Sequence, residues 1–250
     1  MSEASSVNVN AVNGIARIGN LQLCQIALTS AMDRSQNLPG LVVFSGPSGW
    51  GKSMSAMYVA NSARAFYVQA KSAWTKKHFL RAILFEMDIN VTPAVTIAEM
   101  VDQIGEELAA SRRPLIIDEM DHIVDRNMVE LVRDLYESSQ SPILLIGEEG
   151  LPTKLKRWER FHGRVLAWVQ AQPVNQDDAR ALRHIYSRDV DIADDLLDEV
   201  LKVAHGSVRR VCVNLDLIQR EALNDGLDRM DAKGWKKRPL YTGEAPKRRV

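Results

Sequence analysis

The sequence predicts an α/β fold, a five-stranded parallel sheet flanked by helices, followed by a small all-helical domain. Three observations lead there. Short continuous apolar runs, Leu41-Val42-Val43-Phe44, Leu115-Ile116-Ile117 and Ile143-Leu144-Leu145-Ile146, have the composition of strands buried on both faces. Stretches of helical period separate them, the alternation that builds a parallel sheet. A glycine-rich loop, Gly46 to Ser53, joins the first run to a helix free of Pro and Gly. The predicted boundaries are a flexible arm over 1–13, an α/β domain over 14–173, a helical lid over 174–226 and a basic, disordered tail over 227–250.

In chain order, the Ser/Asn/Val-rich arm has no period. Asn20 is placed to cap a helix over Leu21 to Ser35, which Leu38-Pro39-Gly40 breaks before the first strand. A helix over Ser53 to Ala63 follows the glycine loop, then a second strand over Ala65 to Ala70 and a helix over His78 to Met87. Thr96 and Glu99 form a capping box, behind which Ile97, Met100, Val101, Ile104 and Leu108 share one helical face. The third strand is Leu115 to Ile117. An amphipathic helix over Asp125 to Ser138 turns Met128, Leu131, Val132, Leu135 and Tyr136 to one side. Pro142 to Gly147 is the fourth strand, Lys154 to Arg160 a basic helix, and Gly163 to Gln170 the fifth strand. Beyond Pro173 come helices over 175–188 and 193–204, and a third that Ser207 caps and that runs to about Asn224. From Asp231 the chain holds seven Lys/Arg against two acids, as a solvated tail does, or one that meets nucleic acid or a partner.

Gly46-Pro47-Ser48-Gly49-Trp50-Gly51-Lys52-Ser53 has the G-x-x-x-x-G-K-S spacing of a phosphate-binding P-loop, in the strand–loop–helix setting that such a loop needs. Its glycines free the backbone to turn N–H groups toward an anion. The helix that begins near Lys52, with Met54 in its first turn, points its positive end there. Lys52 adds a full charge, and the Ser53 hydroxyl can ligate Mg²⁺. Sixty-odd residues later, Asp118-Glu119 ends an apolar strand. Alone, that pair reads as an acidic cap. After a P-loop it reads as the second half of a nucleotide site, with Asp118 orienting Mg²⁺ and Glu119 activating the attacking water as a general base.

Lys71-Ser72-Ala73-Trp74-Thr75-Lys76-Lys77 follows the second strand, at the end of a parallel sheet where function collects. It is either a DNA contact or a solvated loop opening the next helix. The formal net charge is zero, so any nucleic-acid surface must be local. Cys24 and Cys212 are isolated among apolar neighbours and read as reduced thiols, not as metal ligands. No apolar run approaches 18 residues and no signal peptide opens the chain. The expectation is a soluble, cytoplasmic protein with no membrane partner.

Over residues 14 to 226 the chain resembles AAA+ ATPases, on its P-loop, its Asp-Glu strand end, a polar residue after the fourth strand, an Arg before the fifth and a helical lid. The resemblance implies ATP and Mg²⁺ as cofactors and ATP hydrolysis at a subunit interface. It places Glu148 at the sensor position, where Asn, Thr or Gln is usual. An acid there is repelled by a γ-phosphate unless it is protonated or turned away. The finger offered to the neighbouring subunit matches Arg160, before Phe161, with Arg157 and Arg164 as competitors. Gly206-Ser207-Val208-Arg209 matches the second sensor, with Arg210 in reserve.

Within that superfamily the chain is similar to the group of the phage Mu B transposition protein and its TniB/IstB-like relatives. That likeness implies a self-assembling ring or helical filament on duplex DNA, a transposase as client, and Lys71, Trp74, Thr75, Lys76 and Lys77 as DNA contacts. Two other readings stand beside it: a helicase loader or replication initiator, and an ExeA-like nucleotide-gated module without DNA binding. No winged-helix, transmembrane or peptidoglycan-binding segment is expected, and neither is an extra N-terminal DNA-binding domain.

Overall fold

The computed structural model describes residues 11–12 and 15–245. In chain order its elements are β1 (Ala11–Val12), β2 (Ile15–Ala16), α1 (Gly19–Met32), β3 (Leu41–Ser45), α2 (Lys52–Ala63), β4 (Phe66–Gln69), α3 (Lys76–Glu86), α4 (Ile97–Ser111), β5 (Leu115–Asp118), α5 (Met120–Asp125) and α6 (Val129–Ser139). There follow β6 (Ile143–Gly147), α7 (Leu151–Leu155), α8 (Glu159–His162), β7 (Val165–Gln170), α9 (Gln176–Tyr186), β8 (Asp191–Ile192), α10 (Asp194–Ala204), α11 (Val208–Asn224), β9 (Arg229–Met230) and α12 (Ala232–Trp235). They fall into two compact units, Asn20–Ala171 and the residues on either side of it.

The first unit is the α/β fold that the sequence predicts. Its five strands are all parallel, in the order β4-β5-β6-β3-β7. Alternate strand residues feed two cores. Leu41, Val43, Leu115, Ile117, Ile143 and Leu145 meet α3 to α7 on one face. Val42, Phe44, Ile116, Leu144 and Ile146 meet α1 and α2 on the other. Two-sided burial is why these strands read as unbroken apolar runs. Gly105 lets α4 cross close to α6, since a Cβ there would meet Ser138 Oγ at 2.4 Å. Because the sheet is parallel, the loops after β3, β4, β5, β6 and β7 all leave from one edge, where α/β sheets hold ligands.

Three elements differ from expectation. Asn20 lies inside α1 instead of capping it, and its amide serves the glycine loop described below. The helix expected over Asp125–Ser138 starts later, at Val129 as α6, after a left-handed residue, Asn127, at φ 55°, and a separate short helix, α5, precedes it and closes at Asp125. The basic helix expected over 154–160 is also two, α7 and α8, parted at Lys156–Trp158.

The second unit holds the expected lid helices. Asn175 and Asp178 form a capping box on α9, and Ser207 caps α11 through the Arg210 amide. β2 packs against α9, and the Gly19 amide donates to Asp178 Oδ1 at 2.7 Å. The stretch from 227, expected as disordered tail, takes structure: β9 pairs in parallel with β8, and α12 buries Trp235. The fully buried Asn214 amide then donates to Tyr241 O at 3.0 Å and accepts from Tyr241 N at 2.7 Å. A charged, Gly/Pro-rich composition reads as disorder, but one buried indole and one two-way amide outweigh it. Residues 1–10 and 13 of the predicted arm, residue 14 and residues 246–250 of the predicted tail lie outside the described residues.

Candidate nucleotide site

β3 delivers the glycine loop to the centre of the sheet edge. Gly49 and Gly51 sit at φ 81° and 84°, where an L side chain is strained. Gly46 is needed for a different reason: a Cβ on it would lie 2.7 Å from the Ala171 Cβ at the end of β7. Asn20 Nδ2 donates to Trp50 O at 2.8 Å and ties the loop to α1. Gly51 opens α2 in the left-handed conformation with no side-chain cap, so the helix presents its N-terminus bare of side chains. An anion site of this kind is what orphan N–H groups and the helix dipole make. Ser53 is half-buried and Met54 largely exposed in the first turn.

Lys52 Nζ folds back over the loop and donates to Gly46 O at 2.6 Å and Pro47 O at 2.9 Å. Burial lowers its pKa, and four carboxylates, Asp118, Glu119, Glu148 and Asp121, oppose that fall. The structure thus draws the predicted acids into one field around the predicted lysine.

Asp118 is buried at the end of β5. Its Oδ2 accepts from Tyr67 Oη on β4 at 2.8 Å, and its Oδ1 from the Glu119 amide at 2.8 Å. Glu119 stands at φ 55° and ψ 41° as the residue opening α5. Left-handed residues elsewhere in the chain mostly close helices; this one aims an acid away from the strand end at a backbone cost of about 1–2 kcal/mol. Burial first, then Asp118, raises the Glu119 carboxyl above its ordinary 4.5. Burial, then Asp118, pushes the Cys24 thiol up to about 12, which makes it inert; both cysteines are free.

Glu148 follows β6 with its side chain exposed, while its amide donates to the buried Asp121 Oδ2 at 2.6 Å. Lys154 Nζ lies 3.1 Å from Asp121 Oδ1. Of the three arginines, Arg157 donates to Val124 O at 3.2 Å and lies over Trp158, and Arg164 pairs with Glu137 at 3.0 Å. Arg160 is exposed on α8 and makes no hydrogen bond or ion pair with any described residue. In the second unit Arg209 is exposed on the first turn of α11, whereas Arg210 lies beneath Gly243, whose added Cβ would stand 2.8 Å from its Nε.

The lysine-rich loop leaves the same sheet edge after β4. Thr75 caps α3 by accepting from the His78 amide, Trp74 packs onto the core, and Lys77 Nζ donates to Pro93 O at 2.8 Å. Lys71 lies over the Trp74 ring at 5.8 Å, and Lys76 is exposed. Trp74 and Thr75 therefore have structural work that their spacing did not reveal.

Asn20, Tyr67, Asp121 and Lys154 escaped the sequence reading. Only Asp121, a third acid just past Asp118-Glu119, carried a local signal. Among the described residues no cluster of three or more His, Cys, Asp or Glu is arranged to hold a metal ion. Ser53 and Asp118 fit a Mg²⁺ that takes its other ligands from phosphate and water, the usual habit of that ion.

Residues 35–155 match a family model described as AAA domain. Among solved structures, the fold is similar to Cdc6p of Pyrobaculum aerophilum, with TM-score 0.64 and 14% identity over 90% of this chain and 66% of that one. It is similar to the Aeropyrum pernix Orc1 protein, solved in complex with DNA, with TM-score 0.58 and 19% identity over 86% and 62%. A Walker-type ATPase of Pyrococcus abyssi gives TM-score 0.57 and 18% identity over 83% and 67%. This chain spans about two thirds of the length of those proteins, and identities so low speak to fold alone. The five-stranded parallel sheet and the glycine loop that leaves β3 are consistent with the AAA+ P-loop NTPase fold, and residues 35–155 match the AAA domain model.

Proposed function

We propose that this protein is an ATP-dependent, self-assembling DNA-binding ATPase that delivers target DNA to a transposase. The observation that supports it most is the meeting of the bare α2 N-terminus, Lys52, and Asp118 with Glu119 on one sheet edge; Arg160 stands exposed and unpaired on α8. The backbone from Gly46 to Met54 holds the phosphates, and Lys52 swings from the Gly46 and Pro47 carbonyls to the γ-phosphate. Ser53 and, directly or through water, Asp118 would hold a Mg²⁺, which would supply charge neutralisation to the phosphates. Tyr67 holds the Asp118 carboxylate in place. Glu119, whose carboxyl burial and then Asp118 raise above its ordinary value, takes the proton of the attacking water. Arg160 reaches the nucleotide of the next subunit. Assembly then multiplies weak phosphate contacts from Lys71, Lys76 and Lys77 into stable non-specific binding of duplex DNA.

A second reading, a replication initiator or helicase loader, is favoured by the likeness to Cdc6p and to the DNA-bound Orc1 protein. The two share the nucleotide chemistry and part at the client. The test is binding of labelled duplex DNA with ATP, ADP or no nucleotide, by wild type and by Lys52→Ala. Binding that needs ATP and is lost in the variant is the expected result. DNA binding indifferent to both ends the proposal. Pull-down of a replicative helicase, and no transposase, moves the assignment to the second reading.

A further inference from the structure

We propose that Asp121 and Lys154 are positioning residues that couple the acidic strand end of one subunit to the arginine it offers the next. The inference rests on the trans role of Arg160 proposed above. α5 starts one residue after Asp118-Glu119, and three bonds tie the 154–157 segment to it. Lys154 Nζ lies 3.1 Å from Asp121 Oδ1 and 3.1 Å from Asp125 Oδ1, and Arg157 donates to Val124 O at 3.2 Å. Asp121 is buried and its two oxygens face opposite ways: Oδ1 toward Lys154, Oδ2 toward the Glu148 amide at 2.6 Å. One carboxylate thus joins the residue after β6 to α7.

Two features make that join consequential. The chain between α7 and α8 is not helical, so no continuous helix fixes Arg160. The buried Phe161 holds α8 in the core, and the approach to Arg160 from α7 is set by residues held to α5. The Asp125 arm is solvent-exposed and of the kind that contributes little. The Asp121 arm is different, because a buried carboxylate cannot be left without its cation at small cost. Lys154 therefore cannot drift while Asp121 holds Glu148. Charge changes at Asp118, Glu119 and Glu148 act on Asp121 across a few residues and through it on the Arg160 segment.

The experiment measures ATP turnover with duplex DNA present, affinity for a fluorescent ATP analogue, and complementation in mixtures, all on the full chain. Lys154→Met and Arg160→Ala should each lower turnover by about tenfold or more with nucleotide affinity within about twofold of wild type. Mixing either with Glu119→Gln, which lacks its own base but keeps Lys154 and Arg160, should recover turnover, because the partner supplies the arginine. Lys154→Arg keeps the charge and should work as wild type does. A merely structural Lys154 would fail in the mixture, since its own subunit would be the damaged one. Wild-type turnover by Lys154→Met overturns the inference. So does a loss that Glu119→Gln does not complement while the Arg160→Ala loss is complemented, and in that case the trans reading stands. Wild-type turnover by Arg160→Ala sinks the trans reading and this inference together.

Discussion

Gly147 ends β6 and Gly150 lies three residues beyond it, and the structure separates them sharply. A Cβ on Gly147 would stand 2.4 Å from Asp121 Oδ2 and 2.6 Å from Leu151 Cδ2, whereas a Cβ on Gly150 meets nothing within 4 Å. Ordinary carbon–oxygen contact begins near 3.4 Å, so Gly147→Ala must push the carboxylate away by roughly 1 Å. The hydrogen bond from the Glu148 amide starts at 2.6 Å and would end beyond hydrogen-bonding distance. Loss of a charge-assisted bond is worth about 1.5–3 kcal/mol, and crowding against Leu151 about 1–3 kcal/mol. At about 2–4 °C per kcal/mol for a chain of this size, Gly147→Ala should lower the melting temperature by on the order of 10 °C. Gly150 has an ordinary φ of −77°, so Gly150→Ala should leave it unchanged or raise it slightly. Differential scanning fluorimetry of the two variants makes the comparison. Equal melting temperatures would refute the claim that Asp121 fills the space a side chain at Gly147 needs.

Three further outcomes follow from the electrostatics and from the lysine-rich loop. The Glu119 carboxyl is raised in the fold, so its ionisation opposes folding: its favourable contribution is complete below the ordinary 4.5 and is lost as pH rises through the folded pKa. Glu119→Gln should therefore melt higher than wild type near neutral pH, with a gain that shrinks on acidification; a gain that grows instead contradicts the sign of the shift. In the loop after β4, Trp74→Ala should destabilise the first unit by about 1–3 kcal/mol, because the indole covers core. Lys76→Ala should leave the melting temperature alone and reduce the salt slope of DNA binding by about one. An unchanged slope removes Lys76 from the DNA contacts.

Strands, helices and caps were legible wherever local chemistry and tertiary context agree. β3, β5 and β6 are apolar because both of their faces are covered, and the capping box at Thr96 is built from residues three apart. Legibility ended where one distant contact decides. Asn20 has the side chain of a helix cap, but its amide is drawn to Trp50 O. Trp74 and Thr75 sit among lysines like nucleic-acid contacts, yet one packs and the other caps. The stretch from 227 to 241 looks like solvated tail until Trp235 and Asn214 hold it.

By itself the sequence determined the fold class, the P-loop and the acidic pair, because each is written in residues adjacent in the chain or spaced at a secondary-structure period. The tertiary structure alone decided why Gly46 has no side chain, which oxygen of Asp118 Tyr67 holds, and that Asp121 joins Glu148 to Lys154. It also decided which of three arginines is left unpaired. The reason is physical: a parallel sheet brings residues of distant strands and loops to one edge, and the side chains that meet there have no spacing in the chain to announce it.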